Sequence, residues 1–569
     1  LIALVSINSY TAMLAAQILI DSVCAVIIFL IGDELLAFSV GLVAGVLAAL
    51  SPHLAYYALW LTPDSMVALP TLLALWLLIR GIKSRHLMPF VVAGCFIGLA
   101  CWLRSNSLLL APMLSVMVWQ MIGERRVART SAAAITAAAL LTIAPLTIRN
   151  YVISRRLIPT SIQHGLNLVE GIADYDPAGK FGMPPDDIHA AIKDSEWYGR
   201  PDYARNLWAP DGISRDEERF RRGLAVVTSH PLWFLSVMGR RAGFMLRYND
   251  TFGSGDWPLN TARVPLVQPE PGFGHYPGEM AEARPIASMS AAGLASSGEV
   301  RSNEALVAFS PASNMLSVTG SGKPYDPEFS SAPIPVQPET DYLLNVRAKL
   351  ESGTVAVKVM DAGLRSTIAI LRVPLTDELR ALLARKERNG ALTAAEPATL
   401  DQESDDDVVI LHIPFCSGPH RSVRVALVNG SPDVAHLVID LGQIDLYEYG
   451  PTTFQWTRYP RAVIYVLQKD LFLTTVMLPL VILGALLLGI LGDRRALVML
   501  AAVPVYYLVV QSALHTEYRY ILPMHYFLFV FAAITLCVGS SLISAGAALV
   551  WNKVRGPVQV GYETQGEAP

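Results

Sequence analysis

Four short polar stretches interrupt the apolar runs of this chain, and each carries residues able to hold or move charge. Asp64 stands in Ser51–Ser65 (SPHLAYYALWLTPDS), Arg104 ends Gly98-Leu-Ala-Cys-Trp-Leu-Arg, Arg149-Asn150-Tyr151 closes the run ending at Ile148, and His515-Thr-Glu517-Tyr-Arg519-Tyr520 separates two late apolar runs. A carboxylate at the mouth of a membrane helix is costly unless it faces water, a counter-charge or a substrate. The planar fork of arginine matches two phosphate oxygens. A carboxylate beside such cations can take a hydroxyl proton while the cations neutralise a departing phosphate. Each group also has a plain structural account. Pro63 and Asp64 suit the first turn of a helix, interfacial Arg and Tyr anchor helix ends, and Glu517 can simply neutralise Arg519. Taken singly, each is better explained that way; four at one membrane level point to a site for an anionic group at the membrane surface.

The elements that must position these residues are membrane helices. Of 569 residues 53% are hydrophobic and 16% charged, against about 25% charged in soluble domains. The chain therefore reads as a polytopic membrane protein with a polar part attached. A net charge of −4 argues against nucleic acid as a partner. Cys24, Cys95, Cys101 and Cys537 fall in apolar runs and only Cys416 in the polar region, so no disulfide framework or metal knuckle is indicated.

Apolar runs at 11–31, 39–57, 63–79, 88–103, 105–122 and 130–148, then at 470–491, 496–513 and 521–546, are long enough to cross a bilayer or nearly so. The short loops around Arg80–Arg85, Arg125–Arg129, Arg494-Arg495 and Lys553–Arg555 are basic, which assigns them to the cytoplasm. Parity then puts Asp64, Arg104, Arg149, 515–520 and all of 149–469 outside, with 231–248 lying along the surface as an interfacial helix around Arg240-Arg241. The expected organisation is a transmembrane bundle at 1–148, a loop region with interfacial helices at 149–300, a β-sandwich or jelly roll at 301–450, a second bundle at 451–550, and a cytoplasmic tail at 551–569. The β assignment rests on near-alternating runs such as Tyr342–Leu350, Thr354–Val359, Val408–Ile413 and Ser422–Val428. A polar insertion at about 376–406, ending in Asp405-Asp406-Asp407, is expected to be helical, its acidic end a solvated loop.

Several stretches resemble the GT-C type polytopic glycosyltransferases, in the branch of bacterial protein-mannosyltransferase-like and aminoarabinose-transferase-like enzymes. They are Ala16-Gln17 with Asp21, Gly41–Gly45 through Ser51-Pro52 to Thr62-Pro-Asp64, Gly98–Arg104, Pro145–Tyr151 with Pro159-Thr-Ser161, Gly165–Gly171, Asp216-Glu217 to His230-Pro231, and His515–Pro523. The resemblance covers about 1–250 and 455–546 of the sequence. It implies transfer of a sugar from a polyprenyl-phosphate carrier to a glycan, lipid or protein acceptor on the extracytoplasmic face of a bacterial inner membrane. It also implies Asp64 as an acidic catalytic-site residue, with Arg104, Arg149, His515, Glu517, Arg519 and Tyr520 around the lipid phosphate. The family's principal catalytic Asp or Glu follows its first span, so it is expected upstream of residue 1 and the chain is read as N-terminally truncated. The β region resembles a carbohydrate-binding module in architecture only. Any divalent metal is left open. The rival readings are a non-catalytic membrane scaffold whose β region binds a partner, and a transporter. The transporter would place charges near the middle of several spans, whereas here they cluster at one level.

Overall fold

The computed structural model describes residues 10–249, 264–269, 272–275, 283–300, 305–320, 327–352, 355–373, 400–402, 408–429 and 437–555. The chain divides into a helical unit, Ala12–Leu266 with the chain from Leu467 on, and a β unit, Val267–Val466.

The helical unit begins with α1 (Tyr10–Leu35), α2 (Phe38–Leu50), α3 (Pro52–Ala58), α4 (Pro63–Met66), α5 (Ala68–Ser84), α6 (Met88–Leu103), α7 (Leu110–Met121) and α8 (Arg125–Ser154). Next come α9 (His164–Ala173), α10 (Asp187–Tyr198), α11 (Gly212–Ser229) and α12 (Pro231–Met245), and it closes with α13 (Thr474–Leu491), α14 (Arg494–Val510) and α15 (Leu522–Arg555). Among the described residues six helical segments are long and apolar enough to cross a bilayer, or seven if the bent pair α2–α3 is one span. The protein is thus a multi-pass membrane protein, but nine apolar runs do not make nine full spans. The run 39–57 is broken where Ser51 caps α3, its Oγ accepting from Leu54 N at 3.4 Å with Pro52 next to it, and the axis turns by 54°. The runs 88–103 and 105–122 are separated, as expected, by the 3-10 turn Ser105–Ser107, but they form helices of only 16 residues in α6 and 12 in α7.

The bundle is filled from its last helix. Residues Tyr526 to Ala533 of α15 are all nearly inaccessible, and α15 packs on α2, α13 and α14. Helix α6 packs along α8, and Gly94 and Gly98, one turn apart, make that closeness possible. A Cβ at Gly98 would stand 2.5 Å from the Thr142 Cβ. Small residues at such spacing let helix backbones meet in lipid, where apolar burial alone does not drive association.

The β unit has two antiparallel sheets. Its strands are β1 (Arg284–Met289), β2 (Glu299–Val300), β3 (Leu306–Ser310), β4 (Met315–Thr319), β5 (Pro327–Ser330), β6 (Ile334–Pro335), β7 (Thr340–Ser352), β8 (Val355–Asp361), β9 (Thr367–Val373), β10 (Leu400–Gln402), β11 (Val408–Cys416), β12 (Ser422–Asn429) and β13 (Val438–Pro451). One sheet runs β10-β11-β7-β13-β4-β3 with β1 also on β13, and the other runs β2-β5-β12-β8-β9 with β6 also on β12. Register follows the alternation: Leu344 and Val346 oppose Ile413 and Leu411 on one side and Leu446 and Ile444 on the other. These residues share one buried core with Val357, Val359, Val425 and Leu427 of the second sheet. Strands start at Arg284, upstream of the alternating runs: RPIASM has no clean period of two, and its strand is formed by antiparallel pairing with β13. The polar stretch 376–406 lies outside the described residues except at Leu400–Gln402, a strand on β11 rather than a helix.

A unit with its own two-sheet core should fold by itself. Residues 267–466 expressed alone are expected to give a β-type far-UV spectrum and one cooperative melt; a spectrum without β character would refute this.

Candidate functional site

Asp64 sits in the first turn of α4, behind Pro63 and the N-cap position Thr62, whose side chain makes no cap bond. Its carboxylate is 1% exposed and is ion-paired with the Arg104 guanidinium. Gln17 of α1, itself buried, donates to Ser65 Oγ at 2.7 Å and to the Trp60 carbonyl. That amide pins the turn that carries Asp64.

Arg104 caps the end of α6 in an extended conformation. Its guanidinium lies over the Tyr520 ring, 4.2 Å from the centroid, and Arg519 lies 5.2 Å from the same ring. Glu517 holds Arg519 with contacts of 2.6 and 2.8 Å. Two guanidinium groups thus share one aromatic ring, each held by one carboxylate. Burial first, and Arg519 as well, lower the Arg104 pKa. The Arg104 Nε is buried without a hydrogen-bond partner.

The turn after α6 and the 511–521 segment are tied together. Asn106 donates to Gln511 Oε1 at 3.1 Å and to the Tyr520 carbonyl at 3.4 Å, and Tyr506 OH donates to the Asn106 carbonyl at 2.5 Å. These bonds set the distance between the two arginines.

His515 extends the network. Its Nδ1 lies 2.9 Å from Asp174 Oδ2, its Nε2 3.9 Å from Glu517, and Asp174 also faces the fully buried Arg241 at 3.6 Å. Arg241 donates to the Ser512 carbonyl at 2.6 Å and to the Gly171 carbonyl. Here glycine is required, since a Cβ at Gly171 would fall 2.6 Å from His515 N. Asp64, Arg104, Tyr520, Arg519, Glu517, His515, Asp174 and Arg241 therefore form one continuous chain of charge contacts. Aromatic rings flank it: Tyr57 lies 6.4 Å from Tyr518, and His53 stacks on Tyr518 at 4.1 Å.

The structure brings Asp64, Arg104, His515, Glu517, Arg519 and Tyr520 into this chain and leaves Arg149 out of it. Arg149 is exposed on α8, and its guanidinium reaches Asn150 Oδ1 at 3.4 Å. Asp174, Arg241 and Glu170 were not singled out from the sequence. The signal for Arg241 was present as an arginine pair inside an apolar stretch, but α12 turns Arg241 inward to an acid rather than outward to an interface. Arg240 lies over the Tyr175 ring at 4.7 Å. Among the described residues no three of His, Cys, Asp and Glu are grouped so as to hold a metal ion.

Burial pushes the Glu170 pKa up to about 8. Burial alone would lower His515, but Asp174 and Glu517 raise it to about 10. Burial would raise Glu517, and His515 and Arg519 bring it below its ordinary value. Glu170 and His515 thus hold protons in the fold that they release at lower pH when unfolded. Their contribution is complete below their ordinary values, near 4.5 and 6.5, and is lost as pH rises through about 8 and about 10. The melting temperature is expected to fall from pH 7 to pH 10, and His515→Gln should flatten the upper part of that fall. A wild-type melting temperature constant over this range would refute the assignment.

Residues 1–148 match the protein family described as dolichyl-phosphate-mannose-protein mannosyltransferase. Among solved structures, an arabinose-bound α-L-arabinofuranosidase, MgGH51, matches at 15% identity and a TM-score of 0.19, over 36% of this chain and 29% of that one. Arabinosyltransferase EmbB from Mycobacterium smegmatis matches at 11% identity and a TM-score of 0.19, over 74% of this chain and 56% of that one. At that TM-score neither likeness supports a shared fold. No curated protein matches the chain. Fold and site together define a polytopic helical membrane protein with a β-sheet unit. Its first 148 residues are similar to the GT-C mannosyltransferase family, and the particular resemblance is thus to the protein-mannosyltransferase branch of GT-C glycosyltransferases.

Proposed function

We propose that the protein is a membrane glycosyltransferase that moves a sugar from a polyprenyl-phosphate carrier to an acceptor on the extracytoplasmic side, where the β unit helps to hold the acceptor. The observation that carries this is the pair of guanidinium groups, Arg104 and Arg519, on the Tyr520 ring in a unit whose N-terminal part matches a lipid-phosphate-sugar transferase family. In the reaction the bond from the anomeric carbon to phosphate oxygen breaks and a bond to the acceptor oxygen forms. The hydroxyl proton passes to a carboxylate, and the polyprenyl phosphate leaves with its extra charge facing the arginines. Asp64 orients Arg104 in the described state, as Glu517 orients Arg519, and Asp64 is the residue we assign to the acidic role. Arg149, outside the charge network, is assigned to the approach of the lipid phosphate along the exposed side of α8.

Asp64→Asn keeps the size of the side chain and removes its charge. It is expected to abolish most transfer from a labelled polyprenyl-phosphate sugar in membranes while insertion stays normal. Full transfer by the variant would overturn the role of Asp64 and leave it a helix-terminus residue.

A further inference from the structure

At the other end of α6 and α7 from Arg104, the helical unit carries a groove that the proposed reaction does not use. It lies between α7 and α8, has a volume of about 300 Å³, and is lined by Val116, Trp119, Arg129, Ala132 and Ala133 among others. Arg129, Ala132, Ala133 and Thr136 stand at helical spacing along one stripe of α8, and the two alanines leave the hollow. Its only hydroxyls are already engaged with the helices: Ser115 Oγ is 2.9 Å from Thr136 Oγ1 and donates to the Ala132 carbonyl at 3.1 Å. The floor is therefore apolar in effect, and the charged group is at one end. Trp119, about half exposed, stands at that same end on α7.

The charge at that end is in excess: three arginines stand there against one carboxylate, Glu124 at the N-cap position of α8. Arg125, Arg126 and Arg129 are all exposed, and none has a side-chain ion pair or hydrogen bond among the described residues. They also stand in the first turns of a helix of 30 residues, where the backbone dipole disfavours cations and favours anions. Helix α8 is about 45 Å long by its residue count, longer than the roughly 30 Å hydrocarbon layer. Three arginines in its first turns, with Trp119 beside them, have the composition of a headgroup-level helix end. The occupant that suits an apolar furrow with arginines at its mouth has a hydrocarbon chain and an anionic head.

We propose that this groove binds an anionic phospholipid, with one acyl chain lying on Val116, Ala132 and Ala133 and the phosphate at Arg129, supported by Arg125 and Arg126. The site is separate from the one assigned to sugar transfer and does not depend on that reading. A zwitterionic lipid would fill the furrow without engaging the net charge, and inorganic phosphate would engage the charge without the furrow.

The test uses the full chain, reconstituted in nanodiscs of phosphatidylcholine with a minor share of phosphatidylglycerol, extracted in mild detergent and examined by native mass spectrometry. The wild type should retain phosphatidylglycerol over phosphatidylcholine, and Arg129→Gln should lower that preference by about fivefold, the usual worth of one arginine near an anionic lipid surface. Arg129→Lys should keep most of it. Ala133→Phe, which fills the furrow and leaves the charges in place, should reduce retention of bound lipid as well. Equal retention of the two lipids by the wild type, an unchanged preference in Arg129→Gln, or displacement of the lipid by inorganic phosphate would each overturn the proposal. Size-exclusion behaviour matching the wild type confirms that a variant is folded.

Discussion

Arg519→Ala is expected to slow sugar transfer by about 10²–10³-fold, the cost of removing one donor that meets developing negative charge. Arg519 is the guanidinium of the pair held by a partly accessible carboxylate, Glu517, at 2.6 Å. Its charge is kept in place without being sealed off, whereas Arg104 is paired with a carboxylate that is 1% exposed. Arg519→Lys should recover only part of the rate, because an ammonium keeps the charge and loses the two-pronged contact. The loss should appear in the rate at saturating donor as well as in donor affinity, since the charge on the phosphate grows as the sugar departs. Transfer at the wild-type rate by Arg519→Ala would remove the arginine pair from the reaction, whatever Asp64 does.

A large effect on stability is expected at Arg241, which is fully buried beside the charge network. Removing one partner from a buried ion pair costs about 3–5 kcal/mol where the remaining charge is left without compensation. Here Asp174 keeps His515 at 2.9 Å, so the cost falls toward the lower end of that range and comes largely from the two carbonyls that lose their donor. Arg241→Met keeps the bulk of the side chain but withdraws the counter-charge of Asp174 and the donors to the Ser512 and Gly171 carbonyls. Those carbonyls belong to the 511–521 segment and to the end of α9, so the change should also loosen His515 against Asp174. A marked drop in melting temperature, together with faster hydrogen exchange in 511–521, is the expected outcome. Arg241→Lys should fall in between, since an ammonium keeps the charge but not the planar fork whose separate nitrogens reach the two carbonyls. An unaltered melting temperature in Arg241→Met would mean that the pair contributes nothing net.

Asp64, Arg104 and the 515–520 segment could be picked out from sequence because charge is conspicuous where apolar runs stop. Their membrane level followed from basic loops elsewhere, by counting. Arg149 was picked out on the same grounds, yet its side chain ends on its neighbour Asn150. A shared level restricts one coordinate only, and the other two come from how α8 is rotated and where it stands. Glu170 lies within the Gly165–Gly171 motif and Asp174 just beyond it, yet nothing local marks either as a charge of the site. Their burial arises from helices and loops far away in the chain.

What the amino-acid order determined by itself is the class of each segment. Hydropathy over a helix length and alternation over a strand length are local properties, set by which backbone conformation hides apolar atoms and satisfies its own hydrogen bonds. The stop at Arg104–Ser107 was legible for a similar reason, whereas the break at Ser51-Pro52 lies inside a run, 39–57, that reads as continuous by hydropathy. The partners of the charged groups were decided only by the tertiary structure. Asp64 meets Arg104 across 40 residues and His515 meets Asp174 across 341. Pairings at that separation have no periodic trace in the sequence, because they exist only once packing has brought α4 to the end of α6 and α9 to the 511–521 segment.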